Sequence, residues 1–298
     1  MPSRNDPAED SEDLRAAEVV FQDSRGRMFG IAYRMLGSVS EAEDVLQEAW
    51  IRWQTYDRSK VENAEAFLAT TVTRLAINVL QSARVRRETY VGPWLPEPVD
   101  TSSDPALGAV NGEALEVAVL MLLEKLSPPE RAAYVLREAF DYPYGQIAEI
   151  IGQSQANTRQ LVSRARKHLA KEKRASVAPA DHQRFLTAFV AAAQAGDVSL
   201  MEKVFADDVI SYSDGGGVAQ ASRVPVTGPH TVARFYHAFA DRFWPGITSE
   251  PVEANGRPAV RLTRGGTVVA VLTVSVTAEG IDRVLVIMNP AKLGAMAV

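Results

Sequence analysis

The chain has 298 residues, a formal net charge of −5 and 46% hydrophobic residues. This composition is typical of a globular protein of two or three domains and excludes a chain that is mainly disordered. The chain has no cysteine, which excludes a disulfide scaffold, a cysteine-bound zinc and a cysteine nucleophile. We expect no signal peptide and no membrane span, and therefore a cytoplasmic protein, because the first residues are polar and no long apolar run occurs.

The first part of the chain has the periodicity of helices. Apolar spacing predicts four of them, over 15–23, 26–36, 40–53 and 64–86. Ser40 and Glu43 have the spacing of a capping box, and Asn63 is the expected cap of the fourth helix. Trp50 and Trp53 fit an apolar stripe, so we expect them in a core.

A proline- and glycine-rich stretch then interrupts the helices. We predict a linker over 91–112, which contains the unusually apolar run Trp94-Leu95-Pro96-Glu97-Pro98. Helices are expected again over 113–174, with Ser127 and Glu130 as a second capping box. The last two of these helices flank a short turn over 152–154, which is typical of a helix-turn-helix.

The second helix of this pair has one apolar stripe, which includes Thr158, and one polar, basic face. Arginine, asparagine and glutamine contact base edges, whereas serine and lysine contact phosphates. The candidate DNA-reading residues on this face are Asn157, Arg159, Gln160, Ser163, Arg164, Arg166 and Lys167. The alternative is a solvated basic face in an ordinary helical bundle.

Two further helix faces are candidates for binding. The helix over 64–86 carries hydroxyl, amide and guanidinium groups, among them Arg74, Asn78 and Arg84, which could hold melted DNA. The helix over 40–53 exposes Asp44, Gln47 and Glu48. An acidic face repels DNA and therefore suits a protein partner, although a plain solvated face is the alternative.

The chain becomes mixed after residue 181. We predict helices over 182–195, 199–205 and 229–243, strands over 208–213 and 222–226, and four later strands that end with 281–288. Its polar candidates are Tyr212, Asp214, His230, Tyr236, His237 and Asp241. An aspartate inside an apolar cone could be a general base, whereas Asp214 before three glycines could simply fix a turn.

Three runs in the helical part resemble extracytoplasmic-function sigma factors. Residues 42–50 resemble their core-polymerase-binding helix and residues 66–78 their promoter-melting helix. Residues 126–131, with the helix-turn-helix that follows, resemble their domain four. The resemblance covers about residues 17–172 in the same order and spacing.

Three more runs, at 94–98, 214–217 and 289–293, resemble one subgroup of these factors. That subgroup includes the mycobacterial sigma factor J type and has a fused C-terminal domain similar to the SnoaL and nuclear-transport-factor-two fold. The resemblance implies a multi-domain fold with two all-α sigma domains, over 15–90 and 113–174, and a C-terminal α+β cone over 181–298.

The resemblance also implies partners and residue roles. A sigma factor is not an enzyme, and we expect core RNA polymerase and promoter DNA as partners, with no cofactor, metal or membrane. Asp44, Gln47 and Glu48 would face polymerase, Asn63 would lie at the minus-ten element, and Asn157, Thr158, Arg159 and Arg164 would read the minus-thirty-five element. The residues implied at a regulatory contact, in place of a separate anti-sigma protein, are Trp94, Leu95, Pro96, Asp214, Gly215, Gly216, Gly217, Asn289 and Pro290.

Two alternatives remain for the C-terminal domain. The cone could hold a small-molecule ligand, so that the chain is a DNA-binding ligand sensor, or it could be a small-molecule enzyme. Binding to core polymerase distinguishes a sigma factor from a ligand sensor or an enzyme, because only a sigma factor must bind it.

Overall fold

The computed structural model describes residues 7–102, 115–170 and 177–297, with side chains for all of them except 7–12 and 83–88. They divide into two compact units: Met1–Ala83 with Leu126–Arg166, and Arg84–Lys125 with Lys167–Val298. The described helices are α1 (Pro7–Leu36), α2 (Val39–Thr55), α3 (Ala64–Glu88), α4 (Val117–Leu123), α5 (Pro128–Glu138), α6 (Tyr144–Ile151), α7 (Gln155–Ala170), α8 (Pro179–Ala195), α9 (Val198–Val204) and α10 (Pro229–Phe243). The strands are β1 (Phe205–Asp214), β2 (Val226–Thr227), β3 (Ile247–Ala254), β4 (Arg257–Arg264), β5 (Thr267–Thr277) and β6 (Gly280–Ile287).

The start of the first unit differs from the sequence prediction in two ways. The helices predicted over 15–23 and 26–36 are one helix, α1, because a glycine inside a helix costs only about 1 kcal/mol and packing on both sides of Gly26 outweighs that cost. The cap predicted at Ser40 is wrong: Ser38 is the N-cap of α2, and its hydroxyl accepts a hydrogen bond from the Glu41 backbone N–H at 3.2 Å. Glu43 instead pairs with Arg25 at 2.6 Å.

The other predicted caps are confirmed. Asn63 Oδ1 accepts a hydrogen bond from the Ala66 N–H at 3.0 Å, and Ser127 and Glu130 form a capping box at the start of α5. Gly152 adopts a φ of 67° between α6 and α7, a conformation that costs glycine little, so the turn of the helix-turn-helix is where it was predicted.

The second unit contains one six-stranded sheet in the order β2-β1-β6-β5-β4-β3. Strands β3 to β6 form successive antiparallel hairpins, whereas β1 and β6 run parallel, with Ser211 opposite Val284. The strand predicted over 222–226 is wrong in extent, because only Val226 and Thr227 pair with β1. Pro225, which lacks a backbone N–H, directly precedes them.

Both faces of this sheet are buried. Successive side chains of a strand point to opposite faces. Val284 and Val286 of β6 therefore belong to a core that includes Phe189 of α8, and Leu285 and Ile287 belong to a second core. The second core is completed by residues from outside the sheet, which include Leu95. None of the described helices is long and apolar enough to cross a membrane.

Candidate functional site

The predicted polymerase-binding residues lie on the outer side of α2. Asp44 and Gln47 are exposed and Glu48 is half-buried. The apolar residues of the opposite face are buried: Ala42, Val45, Leu46 and Ala49. Glu48 Oε1 accepts a hydrogen bond from Arg52 Nε at 2.8 Å, one helical turn later. The exposed acidic face that the sequence predicted is therefore present.

The aromatic residues that follow have different environments. Trp53 is buried, as predicted, and its indole N–H donates to the Ala17 carbonyl at 3.0 Å. Trp50 lies 5.0 Å from the Phe21 ring, centroid to centroid. Tyr56 is 45% exposed, and its ring packs on Phe67 at 4.6 Å. Tyr56 is therefore the aromatic residue of this group that a base could reach.

Helix α3 places its DNA-binding candidates unequally. Asn63 and Asn78 are exposed. Arg74 donates from Nε to the Ile150 carbonyl at 2.9 Å and from Nη2 to the Glu149 carbonyl at 3.0 Å. These carbonyls end α6, where a cation is favoured because the last helical carbonyls lack partners within the helix. Arg74 therefore binds the first unit itself, while the Arg84 side chain lies outside the described residues.

Helix α7 presents a basic face as predicted, with one correction. Arg159, Ser163, Arg164 and Lys167 are exposed, and Asn157 is half-buried with its amide donating to Gln153 Oε1 at 2.8 Å. Thr158 is fully buried, and its hydroxyl donates to the Ser154 carbonyl at 3.0 Å. A base contact by Thr158 is therefore wrong for this conformation. Thr158 lies instead on the buried apolar stripe of α7, as its spacing in the sequence indicates.

The regulatory candidates of the second unit converge on one carboxylate. Asp214 ends β1 and is fully buried. Its Oδ1 accepts from the Tyr90 hydroxyl at 2.6 Å and from the Gly216 N–H at 3.1 Å. Its Oδ2 accepts from the Leu95 N–H at 2.8 Å and from Lys292 Nζ at 2.7 Å. Asp214 thus fixes the glycine turn that follows it and also binds the linker. Its carboxylate oxygens are used in these contacts, which do not correspond to a general base inside the apolar cone.

Lys292 and Asn289 complete this cluster from the C-terminal run. The Lys292 ammonium donates to the Leu95 carbonyl at 2.5 Å and lies 4.2 Å from the centre of the Trp94 ring, a cation–π contact. Asn289 Nδ2 donates to the Tyr90 hydroxyl at 2.8 Å. Burial, together with the hydrogen bond to Asp214, raises the pKa of Tyr90 above its ordinary value. We call these contacts of Tyr90, Trp94, Leu95, Asp214, Asn289 and Lys292 the linker clamp.

The glycines of the 214–217 run leave room for the clamp. Gly216 has a φ of 60°, and a Cβ there would lie 2.4 Å from Asn289 Nδ2. Gly217 has a φ of 75°, and a Cβ there would lie 3.2 Å from the Val91 Cβ. Pro290 is exposed and begins a short 3₁₀ turn. The run therefore permits a close approach that other residues would block.

Beyond the hydrogen bonds of the clamp, the linker is held by burial and by two further sets of hydrogen bonds. Leu95 is fully buried in the second core of the sheet, and Pro96 is buried beside it in the chain. Asn255 Oδ1 accepts from the Val99 N–H at 3.1 Å, and its backbone N–H donates to the Val99 carbonyl at 2.9 Å. Thr101 donates its hydroxyl to Glu253 at 2.6 Å. Residues 90–101 are thus fixed along most of their length.

Sequence reasoning missed Tyr90, Asn255 and Lys292. Lys292 belongs to the 289–293 run, so the motif contained it without indicating its role. Asn255 and Gly256 form the turn between β3 and β4, and nothing in that dipeptide indicates a contact with the linker. Nothing in the sequence around Tyr90 indicates a partner 124 residues away.

The remaining polar candidates of the cone do not form one site. The Tyr236 hydroxyl lies 2.8 Å from the Ser211 hydroxyl, and burial raises the Tyr236 pKa above its ordinary value. His230 and His237 are exposed, with Nδ1 atoms 2.7 Å from Glu202 Oε1 and from the Gly196 carbonyl, respectively. These contacts stabilise the start and middle of α10 against neighbouring elements.

Comparison with known proteins agrees with this arrangement. Two family models match: Sigma-70 region 2 over residues 20–86 and Sigma-70 region 4 over residues 116–169. The ECF RNA polymerase sigma factor SigJ of Mycobacterium tuberculosis (strain ATCC 25618 / H37Rv) is 38% identical over 232 residues, which is 76% of this chain and 74% of that protein. The probable ECF RNA polymerase sigma factor SigI of Mycobacterium tuberculosis (strain CDC 1551 / Oshkosh) is 32% identical over 276 residues, 90% of this chain and 92% of that protein.

The fold agrees as well. The crystal structure of the Mycobacterium tuberculosis extracytoplasmic function sigma factor SigJ superposes with a TM-score of 0.76 at 32% identity and covers 92% of this chain and 97% of that one. The helical sigma regions, the helix-turn-helix and the C-terminal mixed sheet domain therefore occur together in a relative. The chain belongs to the ECF RNA polymerase sigma factors and is an alternative sigma factor with a fused C-terminal sheet domain.

Proposed function

We propose that the C-terminal domain controls this sigma factor in cis by holding its linker back from core RNA polymerase. The observation that carries the proposal is the buried Asp214 carboxylate, which binds the linker through the Tyr90 hydroxyl and the Leu95 N–H. Hydrogen bonds to a charged group contribute about 1.5–3 kcal/mol each. Together with the burial of Leu95, they make the clamped linker the stable state of the free protein.

The clamp opposes transcription because the linker has two incompatible positions. The family resemblance implies that the linker of a bound sigma factor runs toward the active-site channel of polymerase. Leu95 cannot line that channel while its side chain lies in the second core and its backbone binds Asp214 and Lys292. Release must therefore precede or accompany initiation, and the free energy of the clamp lowers output.

The partners are core RNA polymerase and promoter DNA, in the cytoplasm, and separate surfaces serve them. Asp44, Gln47 and Glu48 of α2 face polymerase. Asn63, Asn78 and Arg84 contact the minus-ten element, and Asn157, Arg159, Ser163, Arg164 and Lys167 contact the minus-thirty-five element. Arg74 can contact the minus-ten element only after its guanidinium leaves the α6 carbonyls. Thr158 is omitted from the DNA contacts because it is buried.

We assign these surfaces to four segments: sigma domain two over 15–90, the linker over 91–112, sigma domain four over 113–174 and the C-terminal domain over 181–298. The family matches over 20–86 and 116–169 lie inside the two proposed sigma domains and support this division.

Transcription by purified core polymerase tests the proposal with Tyr90→Phe. This change removes one hydroxyl from the clamp and leaves the Asp214 bonds from Gly216, Leu95 and Lys292 in place. Loss of about 1.5 kcal/mol, the lower end of the range for a hydrogen bond to a charged group, would raise output by about tenfold. The matched control is Tyr212→Phe, on β1 two residues before Asp214, whose hydroxyl is not part of the clamp. Output from Tyr90→Phe equal to or below that of the control would overturn the proposal.

A further inference from the structure

The second unit contains a cavity that the clamp does not use. Its volume is about 890 Å³, and it lies between α10 and the sheet. Its floor is apolar, with Leu262, Leu272 and Val286 buried. One wall is aromatic, with Phe235, Phe239 and Trp244 from α10 and the residue after it. Cavities of about 300–1,000 Å³ with such linings are the usual size for small-molecule sites.

The cavity has cations at its rim. Arg223, Arg242 and Arg264 line it and are exposed, and the lining residues that the structure describes include no aspartate or glutamate. The Arg242 guanidinium lies 5.7 Å from the Phe239 ring, and Arg264 Nη2 donates to the Phe243 carbonyl at 2.5 Å. An occupant with an apolar body and one anionic group matches both the floor and the rim.

The same cavity borders the linker clamp. Val91, Gly217 and Pro290 line it, and each directly follows a residue of the clamp or of its glycine turn: Tyr90, Gly216 and Asn289. Val91 and Gly217 already lie close together, because a Cβ at Gly217 would be 3.2 Å from the Val91 Cβ. A molecule that fills the cavity therefore contacts the first residue of the linker and two of the segments that hold the linker in place.

We propose that this cavity is a binding site for an amphipathic anion, such as a medium-chain carboxylate or a fused-ring aromatic acid, and that its occupancy loosens the linker clamp. Ligand binding by the cavity concerns the free protein and does not depend on polymerase. The effect of the ligand on the clamp rests on the cis control proposed above.

Calorimetric titration of the full chain with dodecanoate, below its critical micelle concentration, tests the site. We expect saturable binding of one molecule, and weaker binding of dodecanol, which lacks the charge. Arg242→Ala should weaken dodecanoate binding about tenfold and leave dodecanol binding unchanged, since a charged hydrogen-bond partner is removed. Arg234→Ala is the matched control, because Arg234 is exposed on the same helix and does not line the cavity.

The apolar wall needs its own variant. Phe239 is 40% exposed, so Phe239→Ala should leave the fold intact and weaken binding of both dodecanoate and dodecanol. Absence of dodecanoate binding to the full chain, or equal loss of affinity in Arg242→Ala and Arg234→Ala, would overturn the site.

The link to the clamp is tested by transcription with and without dodecanoate. We expect dodecanoate to raise output from the full chain at least twofold and to have a smaller effect with Arg242→Ala at the same concentration. Binding in the calorimeter without a change in transcription would overturn the link and leave the site in place. Failure of the cis-control proposal is seen separately, in the Tyr90→Phe comparison, which contains no ligand.

Discussion

The ammonium group of Lys292 lies 2.7 Å from Asp214 Oδ2, and both side chains are buried although the residues are 78 positions apart. Burying two charges costs several kcal/mol per ion unless the pair is close and its remaining hydrogen-bonding capacity is used. Here the linker supplies much of that capacity, because the Leu95 carbonyl accepts from Lys292 and the Leu95 N–H donates to Asp214. The ion pair and the clamped linker therefore stabilise each other.

Removing one partner of this pair should be costly. Lys292→Met leaves the Asp214 carboxylate buried without its cation, so we expect the free energy of unfolding to fall by about 3 kcal/mol. Urea denaturation measures this free energy. The control is Lys203→Met, which changes an exposed lysine of α9. A loss below about 1 kcal/mol would mean that the pair is not held as described.

Gly216 and Gly265 offer a matched pair for testing the clamp. Their φ angles are 60° and 58°, so alanine at either position costs a similar strain of about 1–2 kcal/mol. Only at Gly216 does the added Cβ meet another residue, Asn289 Nδ2 at 2.4 Å, whereas nothing lies within 4 Å at Gly265. We expect Gly216→Ala to raise transcription and Gly265→Ala to leave it unchanged. The same output from both variants would show that the contact with Asn289 is unimportant.

Asn63 has a structural role and a proposed DNA role, and two substitutions separate them. Asn63→Ala removes the cap of α3 and should lower the free energy of unfolding by about 1 kcal/mol, whereas Asn63→Ser keeps a capping oxygen and should cost much less. Both remove the amide group, so both should reduce promoter transcription. Full activity of Asn63→Ser would restrict the residue to its capping role.

Arg159 tests the DNA-reading face of α7. Its side chain is exposed, with its guanidinium 5.5 Å from the Tyr144 ring, so Arg159→Ala should not affect folding. Loss of a base contact costs about 1–3 kcal/mol, which predicts a fall in promoter transcription of about 5- to 150-fold with core-polymerase binding unchanged. Arg184→Ala, at an exposed arginine of α8, is the control. An equal effect of the two substitutions would remove Arg159 from the DNA-reading face.

His182 gives the second unit a predictable pH dependence. Burial lowers the pKa of His182 below its ordinary 6.5. The hydrogen bond from the His182 ring to the Val274 carbonyl acts in the opposite direction, and the nearby Arg257 charge lowers the pKa further. Below about pH 6.5 the unfolded chain therefore binds more protons than the folded one, and stability falls as pH falls. Urea midpoints from about pH 7.5 to about pH 5.5 should drop more for the unchanged chain than for His182→Gln. Parallel pH profiles would contradict this assignment.

Local signals account for what the sequence predicted well. Caps at Asn63 and Ser127, the turn at Gly152 and the span of α10 depend on residues within a few positions of one another. The sequence motifs at 94–98, 214–217 and 289–293 also indicated that these segments belong together. The sequence could not indicate the continuity of α1, because tertiary packing outweighs the local preference of Gly26.

The clamp itself required the fold. Tyr90 and Lys292 of the clamp, and Asn255 beyond it, obtain their roles from partners at least 78 residues away, brought together by the parallel pairing of β1 with β6 and by the buried linker. Thr158 shows the converse: its spacing placed it correctly on the buried stripe, whereas the family pattern suggested a base contact.

The central claim is tested most directly by locking the linker in place. Asp100 and Ala254 are bridged as antiparallel neighbours, which suits a disulfide, and the chain has no cysteine of its own. The account predicts that oxidised Asp100→Cys/Ala254→Cys protein transcribes at least about tenfold less than the same protein after reduction. Thr248→Cys/Thr263→Cys, paired between β3 and β4 away from the linker, should show no such difference. Equal transcription by the oxidised and reduced forms of the linker variant would contradict cis control by the clamp.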